Sequence, residues 1–482
     1  AGSVSIFSAV QYLRRPGSSK LPFKVAANAK RAIRCAAARR FAHGEIAISS
    51  NFDSGNIEVI DASDPKNIQL HIQKDPFTHG TDKKHHFQWF YFRVSNVKGK
   101  DCTYRITNSH EASYAEAWKG YKVAYSYDPA SASPDWLRVA NTDYAATTEA
   151  PNNEELSWTF TSDRDTVWFA YFAPFSYERH QSLVATVAAS GVAETRVLGH
   201  SLGGKPIDLV KLGTGPKKVW VIARQHPGES MAEWWMQGFL NRLTGSEAKV
   251  RDFLASATLY VVPNMNPDGS AMGNLRTNAA GANLNREWQS GVYEGYSAPS
   301  QERSPEVLCV LEEMKKTGVD LFIDVHGDEE IPDNFFAGGQ GIPSWDSRQE
   351  ALYVLLNYFC LKATKDFQVG RGYGLGDDPD FQCVNSKKGE ANLSVASNHV
   401  GNRFNCLAAT LEMPFKDTTN TADAKCGWSP ERSQALGASM VTAFAELVPY
   451  LRGPLGEEGE GLVAKAKEET KAKGSNWYKE SV

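Results

Sequence analysis

Val219-Trp220-Val221-Ile222-Ala223-Arg224-Gln225-His226-Pro227-Gly228-Glu229-Ser230-Met231 is the stretch on which the reading of the chain turns. The apolar run reads as a buried strand, Pro-Gly as a tight turn, and the apolar periodicity from about Met231 as a helix. A histidine and a glutamate three apart at the rim of a strand can converge on one metal ion as nitrogen and oxygen ligands. Taken alone, His-x-x-Glu recurs by chance, and a solvated turn accounts for it. A third ligand comes from Val319-Asp320-Leu321-Phe322-Ile323-Asp324-Val325-His326-Gly327, a second buried strand that stops at His326. Two imidazoles and one carboxylate leave the fourth position of a catalytic zinc open for water.

Further motifs follow in order: Pro263-Asn264-Met265-Asn266-Pro267-Asp268-Gly269 after the strand Leu259–Val262, then Arg276, then Asn283-Leu284-Asn285-Arg286-Glu287-Trp288, and finally Ala409-Thr410-Leu411-Glu412-Met413-Pro414-Phe415. Over roughly residues 85 to 450, this set resembles the M14 zinc metallocarboxypeptidases, most closely the cytosolic-carboxypeptidase branch and its bacterial relatives. The resemblance implies peptide hydrolysis at free C-termini, with one Zn2+ per chain on His226, Glu229 and His326. Glu412 matches the general base, and its place between apolar neighbours agrees, because burying a carboxylate without purpose is costly. Arg276 corresponds to the cation that stabilises the oxyanion, and Asn285 with Arg286 to the pair that binds the terminal carboxylate. One departure stands out: many members carry an aspartate where this chain has Asn283, which can accept a histidine N–H but adds no charge. Tyr373, in Gly370-Arg371-Gly372-Tyr373-Gly374, is a candidate for the substrate-capping tyrosine, and its setting favours a loop anchor. Lys387, Lys388 and Arg403 precede Glu412 and could select acidic (glutamate) tails, with Arg403 the named substrate-binding candidate; ordinary surface charge explains them equally well.

The fold expected is α/β, a doubly wound mixed-sheet catalytic domain over residues 176–455. An antiparallel β-sandwich over 46–175 precedes it, because runs such as Phe87–Val94, Thr103–Ile106, Tyr121–Tyr127 and Thr166–Phe172 alternate with polar turns. Helical patterns run from Pro305 to Lys316 and from Gln349 to Lys365. The charged tail 456–482 reads as a solvated helix or disorder. His85-His86 lacks a second ligand pair and reads as the start of a surface strand.

Nine of the 52 Lys and Arg residues, and none of the 56 Asp and Glu, fall within residues 1–44. This arm, 1–45, resembles a mitochondrial or plastid targeting segment; a disordered basic tail, or an arm docked on an acidic partner, are the competing readings. The acidic body argues against nucleic acid as a partner. No apolar stretch reaches the roughly 18 residues that span a bilayer, so a soluble or peripheral protein is expected. The seven scattered cysteines suggest reduced thiols in an intracellular compartment. The rival to an enzyme is a carboxypeptidase-like accessory subunit of a larger, mitochondrial assembly, attached by the arm.

Overall fold

A computed structural model describes residues 45–78, 85–146, 153–289, 298–373 and 387–472. The basic arm 1–44 and the end of the charged tail lie outside the described residues. Ten strands occupy the N-terminal third: β1 (Ala47–Ser49), β2 (Glu58–Asp61), β3 (Ile68–His71), β4 (Tyr91–Ser95), β5 (Asp101–Ile106), β6 (Ala124–Ser126), β7 (Leu137–Arg138), β8 (Thr142–Ala146), β9 (Glu154–Thr161) and β10 (Thr166–Ala170). They form two five-stranded sheets, ordered β1-β4-β10-β6-β7 and β2-β3-β5-β9-β8. Pairing is antiparallel except between β3 and β5, where Ile68 lies beside Tyr104 in parallel register. The aromatic residues of these runs form the core: Trp158 stacks on Tyr104 with centroids 5.2 Å apart and meets Phe169 edge-on at 5.5 Å. Such offset and edge contacts add to the gain from area burial alone. The first aromatic run pairs later than expected, from Tyr91, because Phe87–Phe90 leave the ladder and the Phe87 amide is satisfied by Ser113 Oγ at 3.0 Å.

The remainder is built on a seven-stranded mixed sheet from β11 (Ala193–His200), β12 (Pro206–Leu212), β13 (Lys217–Ala223), β14 (Ala257–Val262), β15 (Leu321–Val325), β16 (Phe335–Gly338) and β17 (Leu407–Glu412). Its order is β11-β12-β14-β13-β15-β17-β16, with β14, β13, β15 and β17 parallel. From β13 the chain moves outward to β14 and returns across β13 to β15, so the order reverses at β13. In open α/β sheets the carboxyl ends at that reversal form the binding crevice.

Helices cover both faces: α1 (Tyr177–Ala189), α2 (Met231–Leu243), α3 (Ala248–Ser256), α4 (Pro267–Met272), α5 (Pro305–Thr317), α6 (Ser347–Ala363), α7 (Ala396–Phe404), α8 (Pro430–Leu447) and α9 (Gly456–Ala472). The strands alternate accordingly. Val219, Val221 and Ala223 of β13 join the core shared with α2, α6 and α8, while Trp220 and Ile222 join the one under α5 and α7. The first of these cores continues into the sandwich, where Tyr171 stacks on Phe415 at 4.3 Å. The described part of the tail is helical, as α9. None of the described helices is long and apolar enough to cross a membrane.

α2 and α8 approach closely enough that glycine is required on both. A Cβ at Gly238 would stand 2.0 Å from the Gln434 carbonyl oxygen, and one at Gly437 2.2 Å from that of Trp235. Gly238→Ala is expected to lower unfolding free energy by about 2–3 kcal/mol through overpacking. Gly461→Ala, exposed in α9 with nothing within 4 Å, should instead raise it by about 0.5–1 kcal/mol. Denaturant midpoints of the two variants check both signs.

Candidate metal centre

β13 ends at Ala223, and Arg224 turns the chain with a φ of 59°, a conformation few non-glycine residues adopt. Buried hydrogen bonds hold it there. Arg224 Nε donates to the Pro227 carbonyl at 3.0 Å, and Nη1 donates to the Phe175 carbonyl at 2.7 Å and to Glu233 Oε2 at 2.6 Å. Glu233, on α2, also receives Asn264 Nδ2 at 3.0 Å and faces His180 Nδ1 at 2.6 Å. Burial alone would lower the pKa of His180, but Glu233 and Asp208 outweigh it and raise the value to about 9. A buried ion network therefore braces the turn that presents His226 and Glu229.

β13 and β15 are parallel neighbours, so His226 and His326 leave adjacent strand ends. Glu229 Oε1 lies 2.7 Å from His226 Nδ1, Glu229 Oε2 lies 2.8 Å from His326 Nδ1, and the two Nδ1 atoms are 3.1 Å apart. The opposite ring nitrogens have separate acceptors: Asn283 Oδ1 at 3.0 Å from His226 Nε2, and Asp324 Oδ2 at 2.9 Å from His326 Nε2. Asn283, standing where many members of the resembled family carry an aspartate, is placed to serve as that acceptor. In the tautomer that these two acceptors favour, with each Nε2 donating its proton to Asn283 or Asp324, both Nδ1 lone pairs point at the Glu229 carboxylate. Three electron-rich atoms brought this close repel one another unless a cation lies between them. Ligands on a tetrahedral zinc at about 2.0–2.1 Å stand about 3.3 Å apart, so the donor set and its spacing fit that ion. Among the described residues these three form the one such cluster. Burial, reinforced by Arg276, lowers the His226 pKa to about 3 and keeps this imidazole neutral.

β17 lies beside β15, and the His326 amide donates to the Leu411 carbonyl at 2.8 Å, which sets Glu412 next to the cluster. Glu412 is 6% exposed, and its Oε2 has no partner in the described structure. Burial pushes its pKa well above the carboxylate range; Glu229 and Asp328 add to this, while His326 and Tyr373 oppose it. Tyr373 was expected to be a loop anchor, yet its hydroxyl lies 2.7 Å from Asp328 Oδ2 and 3.2 Å from Glu412 Oε1. A tyrosine within Gly370-Arg371-Gly372-Tyr373-Gly374 was the available signal, but its contact with Glu412, 39 residues on, is not written in it.

Arg276 has its guanidinium 6.0 Å from the Tyr114 ring centre and close enough to act on His226. Asn285 Oδ1 accepts the Ala396 amide at 2.8 Å, so its Nδ2 group is the remaining donor, and Arg286 Nη1 donates to the Asn285 carbonyl at 2.7 Å. Arg403 is not gathered with them. It is exposed near the end of α7, over the Phe404 ring at 6.0 Å, where it and Lys315 of α5 both act on His399. Lys387 and Lys388 are also exposed.

Known proteins match over the same regions. The profile described as cytosolic carboxypeptidase N-terminal domain covers residues 48–172, and that described as zinc carboxypeptidase covers 181–336. A metallo-carboxypeptidase from Pseudomonas aeruginosa, solved in complex with (2-guanidinoethylmercapto)succinic acid, is 41% identical with a TM-score of 0.73, and the match covers 84% of this chain and 100% of that one. A metallo-carboxypeptidase from Burkholderia cenocepacia is 39% identical with the same TM-score, over 84% of this chain and 99% of its own. Cytosolic carboxypeptidase 3 of Bos taurus is 28% identical over 77% of this chain, which spans 37% of that protein's length. The chain belongs to the M14 zinc carboxypeptidase family and carries the N-terminal domain of its cytosolic carboxypeptidase branch.

Proposed function

We propose that the protein is a zinc metallocarboxypeptidase that removes residues from free C-termini, with His226, Glu229 and His326 as ligands and Glu412 as general base. The observation that carries this reading is the convergence of two Nδ1 atoms and one carboxylate beside a buried Glu412 whose Oε2 lacks a partner. Zinc held by these three residues would supply Lewis acidity toward the scissile carbonyl and toward water near neutral pH. Glu412 takes a proton from the attacking water and delivers it to the leaving amine, and its burial keeps that proton from bulk solvent between the two events. Arg276 faces the developing oxyanion with a charge that cannot be lost. Arg286 and the Nδ2 group of Asn285 read the terminal carboxylate. Tyr373 orients Glu412 and can donate to substrate once that hydrogen bond is exchanged.

A silent accessory subunit would need none of these buried groups, and their mutual repulsion makes them costly to retain without a metal. For side-chain preference, acidic tails call for a cation at the cleaved residue, and the three named for it, Arg403, Lys387 and Lys388, are exposed. The reading therefore rests on recognition of the carboxylate that every C-terminus carries, and drops Arg403 as a substrate ligand.

Glu412→Gln is expected to retain zinc and fold while losing about 10³-fold or more in kcat; turnover within about tenfold of the parent would require another base. Arg286→Ala should narrow the preference for a free-acid peptide over its amide by about tenfold or more. Arg403→Ala should leave the ratio of Glu to Leu release unchanged within about twofold, measured on peptides differing only in the last residue.

A further inference from the structure

The loop that carries Arg276 is held by a residue of the N-terminal sandwich. Asp75 lies beyond β3, on the way to β4, and is 5% exposed. Its Oδ1 accepts the Leu275 amide at 2.7 Å; its Oδ2 accepts the Arg276 amide at 2.8 Å, the Thr277 amide at 3.0 Å and the Thr277 hydroxyl at 3.0 Å. Three successive amides and a hydroxyl on one carboxylate fix the backbone at, before and after the arginine. Asp75 is itself held, its amide donating to the His86 carbonyl at 2.8 Å and its carbonyl accepting from Thr78 Oγ1 at 3.2 Å. The same loop is tied upstream, where the Ser54 amide donates to the Ala271 carbonyl at 3.0 Å and Asn56 Nδ2 to the Gly273 carbonyl at 2.9 Å. From the sandwich side, the Tyr114 ring also packs 6.0 Å from the Arg276 guanidinium.

We propose that Asp75 is a positioning residue for Arg276, so that the sandwich sets the place of the cation that meets the oxyanion. This rests on the reading of Arg276 given above. A charge that acts only on the transition state must be fixed before the reaction, and a displacement of about 1 Å can cost on the order of 10²-fold in rate. A bare side chain on an untethered loop would lose that placement. Asp75 touches neither ligand residues nor Glu412, so its effect passes through the Arg276 backbone.

The test uses the full chain loaded with zinc and a peptide with a free C-terminus. Asp75→Asn keeps the shape of the side chain but turns an N–H group toward the amides. Zinc content should be unchanged while kcat falls about 30-fold and KM moves less than about threefold, because the interaction acts in the transition state. In an Arg276→Ala background the same change should alter kcat by less than about twofold, since there is no guanidinium left to misplace. A kcat loss that multiplies with that of Arg276→Ala, or none at all, overturns the inference. If Arg276→Ala alone keeps its kcat, the oxyanion reading fails; if it loses kcat and Asp75→Asn does not, only the role of Asp75 fails. Should Asp75→Asn not fold, Thr277→Val removes one of the four donors and should lower kcat about three- to fivefold, again without effect in the Arg276→Ala background; full activity in Thr277→Val overturns the inference equally.

Discussion

Glu229 sits where three parts of the fold meet. Its Oε1 faces His226, three residues earlier in the same turn, and its Oε2 faces His326 and accepts the Gly327 amide at 3.0 Å. A buried carboxylate is expensive unless its charge is compensated; here the Gly327 amide serves one oxygen, and a cation shared with the two Nδ1 atoms would serve both. That geometry exists only if β13 and β15 are adjacent and parallel and if the turn between β13 and α2 is held in place. Arg224, Glu233 and His180 do the holding, a network of opposite charges excluded from water. The interior of the domain is thus arranged around a set of charges that are stable together and unstable singly.

Support for the site extends beyond the mixed sheet. The Gly228 amide, inside the ligand turn, donates to the Leu275 carbonyl at 2.9 Å, and the Leu275 amide donates to Asp75. The ligand turn, the Arg276 loop and the sandwich therefore form one connected series of hydrogen bonds. On the other side, Trp288 Nε1 donates to Gln225 Oε1 at 2.8 Å, and Gln225 Nε2 donates to Asp324 Oδ2 at 2.6 Å. Asp324 is the acceptor for His326, so the tryptophan of the Asn-Arg-Glu-Trp motif helps to orient a histidine it does not touch.

The parallel strands and the ligand turn were legible because their signals are local. Val219–Ala223 and Leu321–Val325 are uninterrupted apolar runs, as strands covered on both faces must be, and His226 and His326 stand just past their ends. The pairing partner of His226 was legible in the same way, since Asn283 occupies a motif position. Tyr373 and Asp75 were not, because each acts through a contact made across loops that no periodicity marks: Tyr373 with Glu412 over 39 residues of chain, Asp75 with Arg276 over 201. Arg403 shows the complementary limit of chain position as a guide. Its position shortly before Glu412 suggested proximity, but α7 turns that face outward to solvent.

The central claim is that His226, Glu229 and His326 hold one catalytic metal, and metal content measured by elemental analysis after exhaustive dialysis tests it most directly. The account predicts about one zinc per parent chain and a near-complete loss in His326→Ala, since two ligands do not retain the ion at low free zinc. A His326→Ala protein that is folded and still carries a full equivalent of zinc would contradict it.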